Sequence, residues 1–166
     1  MIDLYTEFKA VLQALNAAQV PYALCGGLAL MVYQRPRATV DIDLVVPAET
    51  TDACIQAVSP LGFRAHPRPM RIAASGIEVL RFYKVDPGGA DVLTLYCLLT
   101  THPTVTEAWR TRMQVAFEEA SVWVVSIEGL VGLKQLRGSA QDLLDIEALK
   151  TLRNSQGEIP PGGHDA

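Results

Sequence analysis

The chain has 166 residues, a formal net charge of −4, 49% hydrophobic and 19% charged residues, which suits one domain with a proper core and excludes an intrinsically disordered chain. The acidic balance argues against bulk, non-specific nucleic-acid binding, while leaving room for a local basic groove. No apolar run approaches the roughly 18 residues that span a bilayer, and the acidic start, Met1 to Glu7, does not read as a signal or transit peptide.

In chain order, Leu4, Phe8, Val11, Leu12 and Leu15 recur at helical spacing, which predicts an amphipathic helix over residues 3–17 with Asp3 as its N-cap. Pro21 breaks the chain, and Tyr22 to Cys25 reads as a short buried strand ended by Gly26-Gly27. Leu28 to Gln34 reads as a short helix stopped before Pro36, and Asp41 to Val46 as a second strand ended by Pro47. A helix is expected over about residues 49–59, then irregular or edge structure from Phe63 to Met70. Ile77 to Val85 and Asp91 to Cys97 read as paired strands around Pro87-Gly88-Gly89. His102-Pro103 is expected to open a linker. Met113 to Phe117 and Val122 to Val125 form a further hairpin, Ser126 caps a helix over about 127–136, and Ser139 caps another to about Arg153. The alternation predicts one mixed α/β (α+β) sheet flanked by helices, as a single domain over 1–153 with helices 127–153 walling a cleft, and a disordered tail over 154–166. Cys25, Cys54 and Cys97 form no CxxC pair, so they read as buried thiols of a reducing cytoplasm.

The informative stretch runs from Cys25-Gly26-Gly27 to Arg37-Ala38-Thr39-Val40-Asp41-Ile42-Asp43-Leu44. Positions i and i+2 of a strand share a face, so Asp41 and Asp43 project together. Two adjacent carboxylates repel unless a cation sits between them, and the hard cation that takes carboxylates plus phosphates is Mg²⁺. An exposed polar strand face is the plain alternative for an isolated pair. The two glycines shift that balance: a strand, a glycine pair and a helix start present free N–H groups to phosphate oxygens. Arg37 and Thr39 precede the acids, where they steady the loop or meet a phosphate.

These residues resemble the signature of the polymerase-beta-like nucleotidyltransferase superfamily, in particular its small bacterial members grouped with AbiEii-type toxins and the lincosamide and aminoglycoside nucleotidyltransferases. The shared pattern is a glycine pair opening a helix, then R-x-T-x-D-I-D-L, matched by Gly26, Gly27, Arg37, Thr39, Asp41, Ile42, Asp43 and Leu44. A later helical segment of the form S-x-E-x-L-x-x-L-K, then R and D-x-x-D, is matched by Ser126, Glu128, Leu130, Leu133, Lys134, Arg137, Asp142 and Asp145. Many members have serine at the second glycine position, so the chain departs from them at Gly27, where only backbone donors remain.

The resemblance implies a metal-dependent transferase that moves NMP from an NTP, ATP among them, to an acceptor hydroxyl. Asp41, Asp43 and a third acid would hold two Mg²⁺ or Mn²⁺ ions. Asp91 is the first candidate for that acid, with Glu78 as the fallback, and Asp91 would also take the acceptor's proton. The resemblance further implies that Lys134 points at the nucleotide, whereas a lysine so placed ordinarily snorkels to solvent. A salt bridge from Arg137 or Lys134 to Asp142 would be structural, and Asp145 reads as structural too. The implied partners are an NTP and an acceptor left open between tRNA, a protein and a small molecule such as an antibiotic. A toxin-like member would also have an antitoxin, and no membrane is implied. The rival reading is a catalytically inactive nucleotide-binding or protein-interaction module that keeps the fold. Seven of the 14 basic residues lie between Arg35 and Lys84, a bias that suits a triphosphate or a polyanionic acceptor.

Overall fold

The computed structural model describes residues 1–157. Helix α1 (Leu4–Ala17) starts where expected, with the Asp3 carboxylate accepting from the Thr6 N–H at 3.0 Å. Strand β1 (Ala23–Cys25) leads straight into α2 (Gly26–Val32), so the glycine pair is the first turn of the helix rather than a turn before it. Strand β2 (Asp41–Val46) has the predicted bounds. A 3₁₀ turn and α3 (Thr51–Val58) follow, and the Phe63–Met70 region supplies two short edge strands, β3 (Arg64–Ala65) and β4 (Met70–Arg71). The long hairpin is β5 (Glu78–Val85) and β6 (Val92–Leu99).

His102-Pro103 opens a helix, not a linker. Helix α4 (Pro103–Arg110) has proline in its first turn, where no N–H is needed, and the His102 ring accepts from the Thr104 N–H at 3.2 Å. The second hairpin is β7 (Met113–Phe117) and β8 (Ala120–Val124), turning at Glu118 with φ of 53°. Helix α5 (Ile127–Arg137) is capped by Ser126 and ended by Gly138 at φ of 62°; the Ser139 hydroxyl caps α6 (Ala140–Gly157) by accepting from the Asp142 N–H. Helix α6 thus continues past Arg153 through part of the expected tail, and residues 158–166 lie outside those described.

All strands join one mixed sheet in the order β3-β5-β6-β2-β1-β8-β7, with β4 beside β5. β2 runs parallel to β6, β1 runs parallel to β8, and the other pairs are antiparallel. Ile42, Leu44 and Val46 on one face of β2 are buried, together with Leu95 and Cys97 of β6 and Phe82 of β5. That face meets α1 and α3: Lys84 of β5 pairs with Glu7 of α1 at 2.7 Å, and Cys97 lies 3.9 Å from Cys54 of α3 between their sulfurs. All three cysteines are free and buried, as expected. The opposite face carries Asp41 and Asp43 at one end and the buried Val45 at the other, so it is covered at only part of its length. Among the described residues no helix is long and apolar enough to cross a membrane.

Candidate functional site

Asp41 and Asp43 stand on the same face of β2, at the sheet's centre, and each is half-buried. Their neighbours across β6 are Thr94 for Asp41 and Tyr96 for Asp43. Neither carboxylate has a hydrogen-bond or ion-pair partner among the described residues. Burial, then the Asp41 charge, pushes Asp43 up to about 6, against the pull of Arg137, Lys134 and Arg37. Burial also raises Asp41, with Arg81 and Arg137 opposing. Two half-buried, unpartnered carboxylates held together are poorly stable alone and well suited to a hard divalent cation.

The glycine pair is fitted to this site. Gly26 has φ of 65°, and a Cβ there would fall 2.7 Å from Asp43 Cγ, so only glycine lets the carboxylate lie against the start of α2. Gly27 is buried, and its missing Cβ makes room for Thr39, whose Oγ1 would stand 2.7 Å from it. The closeness that excludes a side chain at Gly27 therefore comes from Thr39. Cys25 gives α2 no side-chain cap, which leaves the N–H groups of its first turn without an intrahelical or capping partner.

Asp91 does not join the pair. It precedes β6 by one residue and lies in the alternation with Leu93 and Leu95, whereas the Asp41–Asp43 face carries Thr94 and Tyr96. Its carboxylate accepts from the Ile2 N–H at 2.9 Å. Glu78 does not replace it: Leu80 pairs with Cys97, so the face of Glu78 is the one opposite the aspartates, and Glu78 pairs with Arg71 at 3.4 Å. Among the described residues no three His, Cys, Asp or Glu side chains gather closely enough to share an ion.

Lys134 does not snorkel and does not face an open cleft. It is 4% exposed, with Nζ 2.6 Å from Asp145 and 3.7 Å from Asp142. Arg37 donates through Nε to Asp145 at 3.1 Å, and Gln141 donates to the same carboxylate at 2.9 Å. Arg137 makes a two-pronged contact with Asp142 at 2.7 Å per bond, and Ser139 Oγ donates to it. Burial alone would raise both carboxyls. Hydrogen bonds from Arg137 and Ser139 outweigh it at Asp142, and those from Lys134 and Gln141 do so at Asp145, so both sit below the usual range. Arg37, Lys134 and Arg137 are thus tied to the C-terminal helices, and they reach Asp43 through their field.

Register singles out Arg81, which the sequence offers only as one of the seven basic residues between Arg35 and Lys84. Tyr96 pairs with Arg81 of β5 as well as with Asp43, so Asp43, Tyr96 and Arg81 form one row across three strands on one face. The alternation within β5 is visible in the sequence, but the row exists only once the pairing register is fixed.

No known protein-family profile matches the chain, and no curated protein matches it. Solved structures do. ANT(2″)-Ia in complex with adenylyl-2″-tobramycin matches with a TM-score of 0.58 and 16% identity over 90% of this chain and 94% of that one. The lincosamide antibiotic adenylyltransferase LnuA, lincomycin-bound, gives 0.55 and 16% over 89% and 96%. JHP933 from Helicobacter pylori gives 0.55 and 18% over 87% of this chain and 63% of that one. The chain shares the fold of these solved structures.

Proposed function

We propose that the protein transfers a nucleotidyl group from an NTP to an acceptor hydroxyl and releases pyrophosphate. The observation that carries this reading is the unpartnered Asp41–Asp43 pair beside the uncapped start of α2, within a fold shared with enzymes of that kind. The pair fits one Mg²⁺ or Mn²⁺ ion. Such an ion would supply positive charge to the triphosphate and acidify the acceptor hydroxyl. Asp41 and Asp43 would hold that ion, and the Gly26 and Gly27 N–H groups donate to phosphate oxygens. Thr39 and Arg37 act as positioning residues: Thr39 packs on Gly27, and Arg37 ties the loop before β2 to Asp145. Lys134 holds the same cluster from α5. The acceptor oxygen forms the new bond to the α-phosphorus as the bond to the bridging oxygen breaks, and the hydroxyl proton leaves to solvent water. With Asp91 on the opposite alternation, we assign it no part in this step.

The test is transfer from α-labelled NTP, with calorimetry of NTP binding in Mg²⁺ and in EDTA. Equal NTP affinity with and without the metal would sink the reading, because two bare carboxylates repel a triphosphate. The missing third acid favours a second reading, an inactive nucleotide-binding module. That reading expects metal-dependent NTP binding with no transfer to any acceptor and no release of pyrophosphate.

A further inference from the structure

The sheet face next to the Asp41–Asp43 pair is basic, and its edge is exposed at Arg64 and Tyr83. Arg81 closes the row from Asp43 through Tyr96, and Tyr83 and Arg64 continue the row from Asp41 through Thr94. Tyr83 is 38% exposed, and the Arg81 guanidinium carbon lies 5.9 Å from the centre of the Tyr96 ring. Arg81 differs from the other cations whose charge bears on the pair. Arg37, Lys134 and Arg137 are each ion-paired with Asp142 or Asp145. Arg81 has no ion pair among the described residues, and its Nε is a buried donor without a hydrogen-bond partner. A buried N–H left unsatisfied is costly and rare, and calls for a partner that arrives from outside the chain. A partly buried guanidinium fork with an unpartnered donor matches one chemistry best, the planar recognition of an oxyanion.

We propose that Arg81 anchors an anionic group of the acceptor, so that the acceptor is a hydroxyl compound carrying a phosphate or carboxylate rather than a polycationic aminocyclitol. The inference rests on the nucleotidyl-transfer reading for the word acceptor, but the oxyanion site itself does not depend on it. An anion held by Arg81 lies two strands from Asp43, about 10 Å at ordinary strand spacing, which leaves room for a sugar-sized fragment bearing the attacking hydroxyl. A compound with several ammonium groups meets Arg81 and Arg64 there and is repelled.

The experiment is a titration with inorganic phosphate and, separately, acetate, followed through the Arg81 Nε–H resonance and the backbone amides of Thr94 and Tyr96. It is run with and without an NTP analogue that cannot be cleaved between the α and β phosphates, in Mg²⁺. The expected result is a saturable shift of the Arg81 resonance that persists with the analogue bound. Arg81→Ala should weaken binding by about 10-fold or more, with Arg81→Lys in between. Melting curves confirm that both variants fold. A preference for phosphate over acetate, or the reverse, names the anion. No Arg81 shift with either anion overturns the proposal. Loss of the shift when the analogue binds also overturns it, because Arg81 would then serve the nucleotide. So does tobramycin binding on this face more tightly than either anion. Failure of the analogue to bind, with the Arg81 shift intact, counts against nucleotidyl transfer and leaves the oxyanion site standing.

Discussion

At Asp43 the same side chain is an electrostatic cost without a cation and, on the proposed reading, would be a ligand with one. Asp43→Asn keeps the shape and removes the charge, so two outcomes are expected together: nucleotidyl transfer falls by at least about 100-fold, and the metal-free protein melts at the same or a higher temperature at neutral pH. A radiolabel transfer assay and a melting curve in EDTA check the pair. A large loss of metal-free stability would mean that Asp43 is a structural side chain. The glycines give a second prediction. Gly26→Ala forces a Cβ against the Asp43 carboxylate at a positive φ, costing at least about 1–2 kcal/mol and turning Asp43 away; calorimetry with Mg²⁺ should show weakened cation binding. Gly27→Val instead displaces Thr39 in a buried contact, so it tests packing more than phosphate approach. The Asp pair and the glycine pair are legible in the sequence because their spacing is local. The fit of Gly26 to Asp43 is not, since it needs β1 and β2 paired with Cys25 opposite Asp43.

Elements are legible where a local signal sets them. Asp3, Ser126 and Ser139 cap the helices they precede, and the Gly88-Gly89 and Glu118-Glu119 turns join the strands they separate. Helix α4 is hidden because His102-Pro103 resembles a break, although proline in a first turn favours a helix. Asp91 fails for a different reason. Its strand forms as expected, but one residue of alternation decides the face, and alternation cannot show which face of β6 follows Asp41. The α5–α6 turn is partly legible: Arg137 and Asp142 pair as their separation of five residues allows, whereas Arg37 reaches Asp145 across 108 positions. That cluster makes a prediction at this scale. Lys134 and Asp145 are both 4% exposed, and removing one leaves the other buried and short of a partner. Asp145→Ala should cost about 3–5 kcal/mol, read by chemical denaturation. Lys134→Met combined with Asp145→Leu should recover much of that loss, since the uncompensated charge is gone. Equal damage from the single and the double variant would show that Arg37 and Gln141, rather than Lys134, make Asp145 necessary.

Across the whole molecule, two sets of carboxylates pull stability in opposite directions with pH. Asp142 and Asp145 titrate below their unfolded values, so their contribution is present above about pH 4 and is lost as the solution is acidified. Asp41 and Asp43 titrate above theirs, with Asp43 at about 6. The folded chain therefore holds more protons at this pair than the unfolded chain between about pH 4 and pH 6, and stability falls as pH rises through that window. The metal-free protein should be most stable on the acid side of neutrality. From there it should lose roughly 2–3 kcal/mol by pH 7.5, since each tenfold difference in proton affinity between the folded and unfolded chain is worth about 1.4 kcal/mol. On the proposed reading a divalent cation would bind the ionised pair and have to displace its protons, so stabilisation by Mg²⁺ should be small at pH 5 and grow through pH 6 to 7.5. The measurement is melting temperature from pH 4 to 8, in EDTA and in millimolar Mg²⁺, for the native chain and for Asp43→Asn. Three features are expected together: an alkaline decline in EDTA, its removal by Mg²⁺, and a flatter, Mg²⁺-insensitive curve for Asp43→Asn. A native curve that is flat in EDTA would mean that the two aspartates are ordinary solvated groups. A decline that Mg²⁺ leaves untouched would mean that they are strained but hold no cation, and the fold would then be shared with the nucleotidyltransferases without their chemistry.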